Sequence, residues 1–391
     1  MKNNIFTESI FSRLRRTTSS NLFIPEIDGL RFLAITLVVF LHINLFVLDK
    51  TTFALNFNSF DNWLIHILNN GSRGVNLFFV ISGFILALPF AKHFFTNSPK
   101  ISLKKFYLRR LTRLEPPYII ATLLCFILLI LKGKYTFSQL IASLGTSLVY
   151  LHNIFPFGPY VNGVAWSLEI EVQFYLLVPL FALIFKLGRY VRRFINLLII
   201  ILFPILNYFY PSPFLNLYAY LHYFFIGFLL ADLYVSEAKI KINKFLSLFI
   251  GLTSLAMLVY INFTQSLVKQ FIFLLLIFIF YYLVLNDDLW KKIFSNRVLT
   301  SIGGMCYSIY LIHVIFISGI GNISVHWQIS NHYIYTLFFQ IIIILPIILA
   351  ASTVFFILIE KPCMNREWPK KLYFFIKKSL TKKELVTVPE E

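Results

Sequence analysis

Two ionisable side chains, Arg31 and His42, bracket the apolar run Phe-Leu-Ala-Ile-Thr-Leu-Val-Val-Phe-Leu of this 391-residue chain. Charges and imidazoles are costly inside a membrane span and by default suggest function. Eleven helical steps return the azimuth to within about 20°, and a rise of about 1.5 Å per residue sets the two groups roughly 16 Å apart along one face. One face therefore carries a cation near one end and a titratable imidazole deep inside. A histidine there suits general-base or nucleophilic chemistry. The bland counterpart is a snorkelling arginine and a histidine bonded to a nearby carbonyl, and the residues alone leave both readings open.

Other polar islands supply candidate partners. In Trp166-Ser167-Leu168-Glu169-Ile170-Glu171-Val172-Gln173-Phe174-Tyr175, Glu169 and Gln173 share one helix face, while Glu171 and Tyr175 share another about 160° away. His42 is expected to reach the level at which Glu171 or Glu169 enters, where a carboxylate would fix its tautomer and raise its basicity. The plainer alternative is two acids capping a helix N-terminus at the water interface. Ser82-Gly83 sits inside the next apolar run, where small residues let helices approach closely. Arg109, Arg110 and Arg113 precede another run; Arg110 and Arg113, three apart, project from one side of a helix, suited either to gripping phosphates or to anchoring on lipid headgroups. Walker and dinucleotide glycine fingerprints are absent, which argues against a nucleoside-triphosphate engine.

The elements that must position these groups are membrane helices. The chain is 58% hydrophobic, 18% aromatic and only 13% charged, far more apolar than a soluble protein with about 25% charged residues. Runs long enough to span fall near 30–48, 74–91, 115–131, 166–186, 194–209, 214–234, 245–263, 267–286, 302–322 and 333–359. The expectation is an all-α, polytopic bundle of about ten transmembrane helices: a cytoplasmic segment over 1–29, one membrane domain over 30–360 and a basic amphipathic tail over 361–391. Ser138 to Leu151 is too polar to span and reads as a re-entrant or interfacial helix. The net charge of +18 is no nucleic-acid signature, because Lys and Arg gather in alternate loops, with seven between Lys92 and Arg113 and eight from Lys361 onward. The opposite loops hold only Lys50, Arg73, Lys132, Lys134 and Lys269. This positive-inside pattern places both termini in the cytoplasm. The first helix is expected to serve as a signal anchor, and Cys125, Cys306 and Cys363 read as structural.

Taken in order, Glu26 to His42, Gly74 to Leu86, Phe106 to Ile119, Val164 to Leu180, Ile302 to Ile317 and Ile359 to Pro362 resemble the acyltransferase family 3 membrane proteins, the bacterial O-antigen and exopolysaccharide O-acetylase type. The resemblance covers nearly the whole chain. It implies a ten-helix core in the bacterial inner membrane that moves an acyl group, acetyl foremost, from cytosolic acyl-coenzyme A to a hydroxyl, usually on a sugar of lipopolysaccharide O-antigen or another exported glycan. No metal is implied. Carried across, His42 is the expected essential residue, with Arg31 and Glu171 beside it in the catalytic set. Arg110 and Arg113 are expected to hold coenzyme A phosphates, with Ser82 and Gly83 in the second-helix motif on the donor side. His313 and Glu360 match late signatures in which a structural role stands beside a catalytic one. Asn76 occupies a position where the family often carries an acid, so no proton transfer is assigned there. The donor would enter from the cytoplasm and the carbohydrate acceptor from outside, with His42 either deprotonating the acceptor or carrying the acyl group. The competing class is a transporter or flippase for a lipid-linked sugar, for which internal repeats and broken helices would be expected; neither is evident.

Overall fold

The computed structural model describes residues 14, 16, 23–51, 53–96, 98–99, 101–237, 242–262, 266–327, 329–365 and 367–369. Most of the amino-terminal segment 1–29 and the expected tail helix after Trp368 lie outside the described residues.

Apolar helices dominate. In chain order they are α1 (Pro25–Lys50), α2 (Ser59–Asn69), α3 (Arg73–Phe95), α4 (Leu103–Leu131), α5 (Phe137–Leu148), α6 (Trp166–Phe181), α7 (Arg189–Phe209) and α8 (Leu217–Val235). There follow α9 (Lys244–Tyr260), α10 (Leu267–Asn286), α11 (Asp288–Phe294), α12 (Arg297–Gly304), α13 (Cys306–Ser324) and α14 (Tyr333–Phe355), the last continued by a π-helical stretch over Phe356–Glu360. Among the described residues, nine helical segments are long and apolar enough to cross a bilayer, and α9 adds a shorter apolar helix of 17 residues. Nine of the ten expected spans thus coincide with such a segment, and the expected span 245–263 coincides with the shorter α9. The outward faces are lipid-like: Leu176, Leu180, Phe194 and Phe245 are each more than 60% exposed, which a soluble surface would not tolerate in such number.

Helix ends follow local chemistry. Pro25 opens α1, with Glu26 and Asp28 in the first turn where the helix dipole favours acids. α4 starts well before its expected apolar run and continues through Pro116 and Pro117, so Arg109, Arg110 and Arg113 stand on the spanning helix itself. Pro116 has no N–H for the carbonyl four residues back; that carbonyl, on Thr112, accepts instead from the Trp368 indole at 2.8 Å. α5 is the short helix expected near Ser138 to Leu151.

Two close contacts knit the centre. A Cβ added at Gly227 of α8 would sit 2.3 Å from the Val80 carbonyl oxygen of α3, and one at Gly83 would sit 2.1 Å from that of Phe224. Only glycine lets these backbones approach so closely. The segment between α5 and α6 folds back onto the bundle rather than looping out. His152 is fully buried and bonds Thr146 at 3.0 Å, and Asn153 donates its backbone N–H to Glu169 at 2.7 Å.

Two outcomes are expected. Gly227→Ala should destabilise the protein by about 1–3 kcal/mol through overpacking, read as a lower melting temperature in detergent. Gly145→Ala, whose new Cβ would meet nothing within 4 Å, should leave the melting temperature unchanged or raise it. Burial also pushes the His152 imidazole below its ordinary 6.5, so the unfolded segment binds a proton more readily than the folded one. Stability from this group is therefore complete above pH 6.5 and declines as pH falls below it. Amide exchange over 149–165, corrected for intrinsic rate, should accelerate between pH 7.5 and 5.5, and His152→Gln should remove that acid sensitivity.

Candidate active site

α1 and α13 meet through two histidines. The rings of His42 and His313 lie edge to face, with centroids 4.9 Å apart and planes at 68°. His42 Nδ1 is 2.8 Å from the Val38 carbonyl oxygen and 3.3 Å from His313 Nε2. His313 Nδ1 is 3.0 Å from the Ile309 carbonyl oxygen and 2.8 Å from that of Tyr310. Carbonyls only accept, so both Nδ1 atoms carry the proton; the network assigns the tautomers. His42 Nε2 is then a bare lone pair, the atom a general base or nucleophile uses.

The carboxylate expected beside His42 is not its hydrogen-bond partner. Glu171 of α6 accepts a hydrogen bond from the Ser82 hydroxyl of α3 and another from the Tyr175 hydroxyl on its own helix. Glu169, on the opposite side of α6, is fully buried and accepts from the Asn153 N–H, so it pins the inward-folded segment. The reason is the offset between the two acids: two helical steps turn one toward α3 and the other toward that segment. Gly83 stands beside Ser82 but faces the backbone of Phe224, so the two neighbours do different work.

Arg110 and Arg113 share part of their surroundings. The Arg110 guanidinium lies 3.8 Å above the Phe106 ring and 5.7 Å from that of Tyr175, donates to the Phe106 carbonyl at 3.1 Å, and faces the charge of Glu171. Arg113 lies within electrostatic reach of Glu360 as well as of Glu171 and Tyr175. Glu360, at the end of the π-helical stretch, accepts from the Ser308 backbone N–H at 3.1 Å and from its hydroxyl at 2.5 Å, as an acid at the N-terminus of α13 should. Three helical steps leave two side chains about 60° apart, so both reach Glu171 and Tyr175 while Arg113 also reaches Glu360.

A cavity of about 450 Å³ opens between α4 and α6, lined by Lys104, Arg110, Glu171, Tyr175 and Glu115 among leucines and tyrosines. Lys104 and Glu115 are eleven residues apart on α4, so the wall this helix contributes runs for roughly 16 Å. Tyr150, held in the left-handed region at φ 59°, also lines it and stacks on Tyr118 at 4.7 Å; such a conformation in a bulky residue persists only where its surroundings hold it. Arg31 does not line this cavity. Its guanidinium bonds Asp28 at 2.5 Å, and Asp28 also pairs with Arg16 at 3.3 Å.

Tyr310 and Arg16 escaped the sequence reading. The Tyr310 hydroxyl is 2.6 Å from that of Ser167 and donates to the Val164 carbonyl at 2.8 Å; its ring lies 5.9 Å from that of His313 and its hydroxyl is within electrostatic reach of Glu171. It stands between the cavity side and the histidine pair. Its spacing of three from His313 was the available signal. Arg16 gave none, because no helical period relates it to Asp28, twelve residues on.

Comparison with known proteins fits this arrangement. Over 354 residues the chain is 28% identical to the O-acetyltransferase OatA of Staphylococcus aureus (strain NCTC 8325 / PS 47), covering 82% of this chain and 54% of that protein. Over 184 residues it is 29% identical to the peptidoglycan O-acetyltransferase OatA of Listeria monocytogenes, covering 44% of this chain and 26% of that one. The chain spans about half the length of the first curated relatives it matches. No solved structure matches it. Residues 24–358 match the family model described as an acyltransferase domain, and with that match over most of the helical bundle the chain belongs to the acyltransferase family 3 of membrane proteins.

Proposed function

We propose that the protein is a membrane-bound O-acyltransferase that moves an acyl group, acetyl foremost, from acyl-coenzyme A to a sugar hydroxyl of an exported or cell-envelope glycan. The observation that carries this reading is the bare Nε2 of His42, half-buried where α1 meets α13, in a bundle whose α4–α6 cavity is lined by Lys104 and Arg110 together with Glu115 and Glu171. The relatives named as O-acetyltransferases support the acyl group, and the one named for peptidoglycan supports a glycan acceptor.

The charge pattern of the loops supports a cytosolic amino-terminal end for α1 and α4. Lys104 then marks the cytosolic mouth of the cavity, and the roughly 16 Å of wall that α4 contributes suits the pantetheine arm of the donor, with the coenzyme A phosphates near the basic entry. Arg110 would balance negative charge on the donor, and Arg113, within electrostatic reach of Glu360 and Glu171, would hold α4 against its neighbours. Arg31 belongs to the same cytosolic end, where with Arg16 it shapes the electrostatics of donor approach. Ser82 positions Glu171 at the cavity wall, and Gly83 lets α3 and α8 close behind it.

In the reaction, the acceptor oxygen attacks the thioester carbonyl while His42 Nε2 takes the hydroxyl proton. The C–S bond breaks, and the coenzyme A thiolate recovers that proton. An acyl-imidazole on the same Nε2 is the alternative route to the same products. The bacterial relatives support a place in the cytoplasmic membrane.

Purified protein in lipid nanodiscs with labelled acetyl-coenzyme A and a glycan acceptor tests this reading. His42→Ala should lower kcat by at least about a hundredfold, the usual contribution of a positioned acid-base group. Arg110→Ala should raise the donor KM by about tenfold to a hundredfold, as expected for loss of a charged hydrogen bond. Sugar-lipid flux without ester formation would overturn the enzyme reading in favour of transport.

A further inference from the structure

We propose that His313 is a positioning residue that serves His42 in the place where a carboxylate would otherwise stand, by orienting its ring and sharing the proton charge that it collects. The inference rests on His42 being the group that activates the acceptor hydroxyl.

His313 is fully buried. Its Nδ1–H is committed to two carbonyls, those of Ile309 and Tyr310 at 3.0 and 2.8 Å, so its Nε2 is a lone pair, 3.3 Å from His42 Nδ1. The His42 Nδ1–H is thereby shared between that lone pair and the Val38 carbonyl. A bare Nδ1 on His42 would instead confront two acceptors with no proton between them. Ring position and proton position are therefore fixed together, and Nε2 faces away from the pair.

The partner does more than the Val38 carbonyl can do. An amide oxygen is a very weak base, whereas an imidazole lone pair accepts a proton outright. When the acceptor O–H proton passes to His42 Nε2, the Nδ1 proton moves toward His313 Nε2. The cation then extends over His313, whose Nδ1–H points at two carbonyl dipoles that stabilise it. As the C–S bond breaks and the coenzyme A thiolate leaves, the proton shift reverses, His42 Nε2 protonates the thiolate, and both rings return to their neutral tautomers. No net proton, electron or co-reactant is needed.

The test compares His313→Gln and His313→Leu with wild type and His42→Ala, by steady-state kinetics in nanodiscs and by thermal unfolding. A glutamine amide oxygen can accept from His42 Nδ1–H but takes no proton; leucine does neither. The expected result is a kcat about a hundredfold or more below wild type for His313→Leu, an intermediate loss for His313→Gln, and a donor KM within about threefold of wild type in both. Wild-type kcat in either variant, a loss confined to KM, or a glutamine variant as inactive as the leucine one would overturn the proposal. If His313→Leu fails to fold, the glutamine variant decides alone: unchanged kcat or a pure KM effect overturns it. Turnover in His42→Ala would instead overturn the reading of His42 itself, so the two failures are distinct.

Discussion

A charge placed inside hydrocarbon must find its counter-charge or its hydrogen bonds within the protein, because lipid offers neither. Four carboxylates organise the bundle under that constraint. Asp28 binds Arg31 on its own helix and Arg16 from the preceding segment. Glu360 closes the end of α14 onto the first turn of α13 and faces Arg113. Asp232 of α8 holds Arg192 and Arg193 of α7. Glu171 ties α6 to α3 through Ser82 and faces Arg110 across the cavity. Each clamp joins segments that apolar packing alone would leave free to slide, since leucine against leucine gains little over leucine against lipid.

The histidine pair departs from that scheme in a way that suits its place. A carboxylate next to His42 would have to be desolvated together with it, at a cost that a buried ion pair recovers only with good geometry. A second neutral imidazole gives orientation without a standing charge. In the proposed reaction the protonated state would arise only during turnover, when a negative charge develops on the substrate. Tyr310, hydrogen-bonded to Ser167, lies near both His313 and the cavity-lining Glu171, and neither histidine lines the cavity that holds Arg110.

Much of this was legible from residue type and spacing. Ten apolar runs, the Arg31–His42 pair, the arginine cluster, the two acids of α6 and the short helix after Lys134 all follow from local rules of length, period and charge. Partner choice did not follow. His42 and His313 are 271 residues apart, and Ser82 and Glu171 are 89 apart, so no helical period relates them. Azimuth decided the rest: a 60° offset separates Arg110 from Arg113, and about 160° separates Glu169 from Glu171. By sequence Glu169 and Glu171 are alternatives for one site and Arg110 and Arg113 a joint grip, whereas the bundle sends the two acids to different neighbours and adds Glu360 to the reach of Arg113 alone. The inward fold of 149–165 was also hidden, because its backbone is satisfied by side chains such as Glu169 rather than by a regular ladder.

The central claim is that a donor entering along the α4–α6 cavity and an acceptor arriving from the other side meet at His42 within the membrane. Its most direct test is a sealed proteoliposome assay of uniformly oriented protein, with labelled acetyl-coenzyme A supplied only on the face bearing the amino-terminal end of α4 and the glycan acceptor only on the opposite face. The account predicts acetyl ester accumulating on the acceptor while coenzyme A is released on the donor side. Turnover only when donor and acceptor share one face would contradict it.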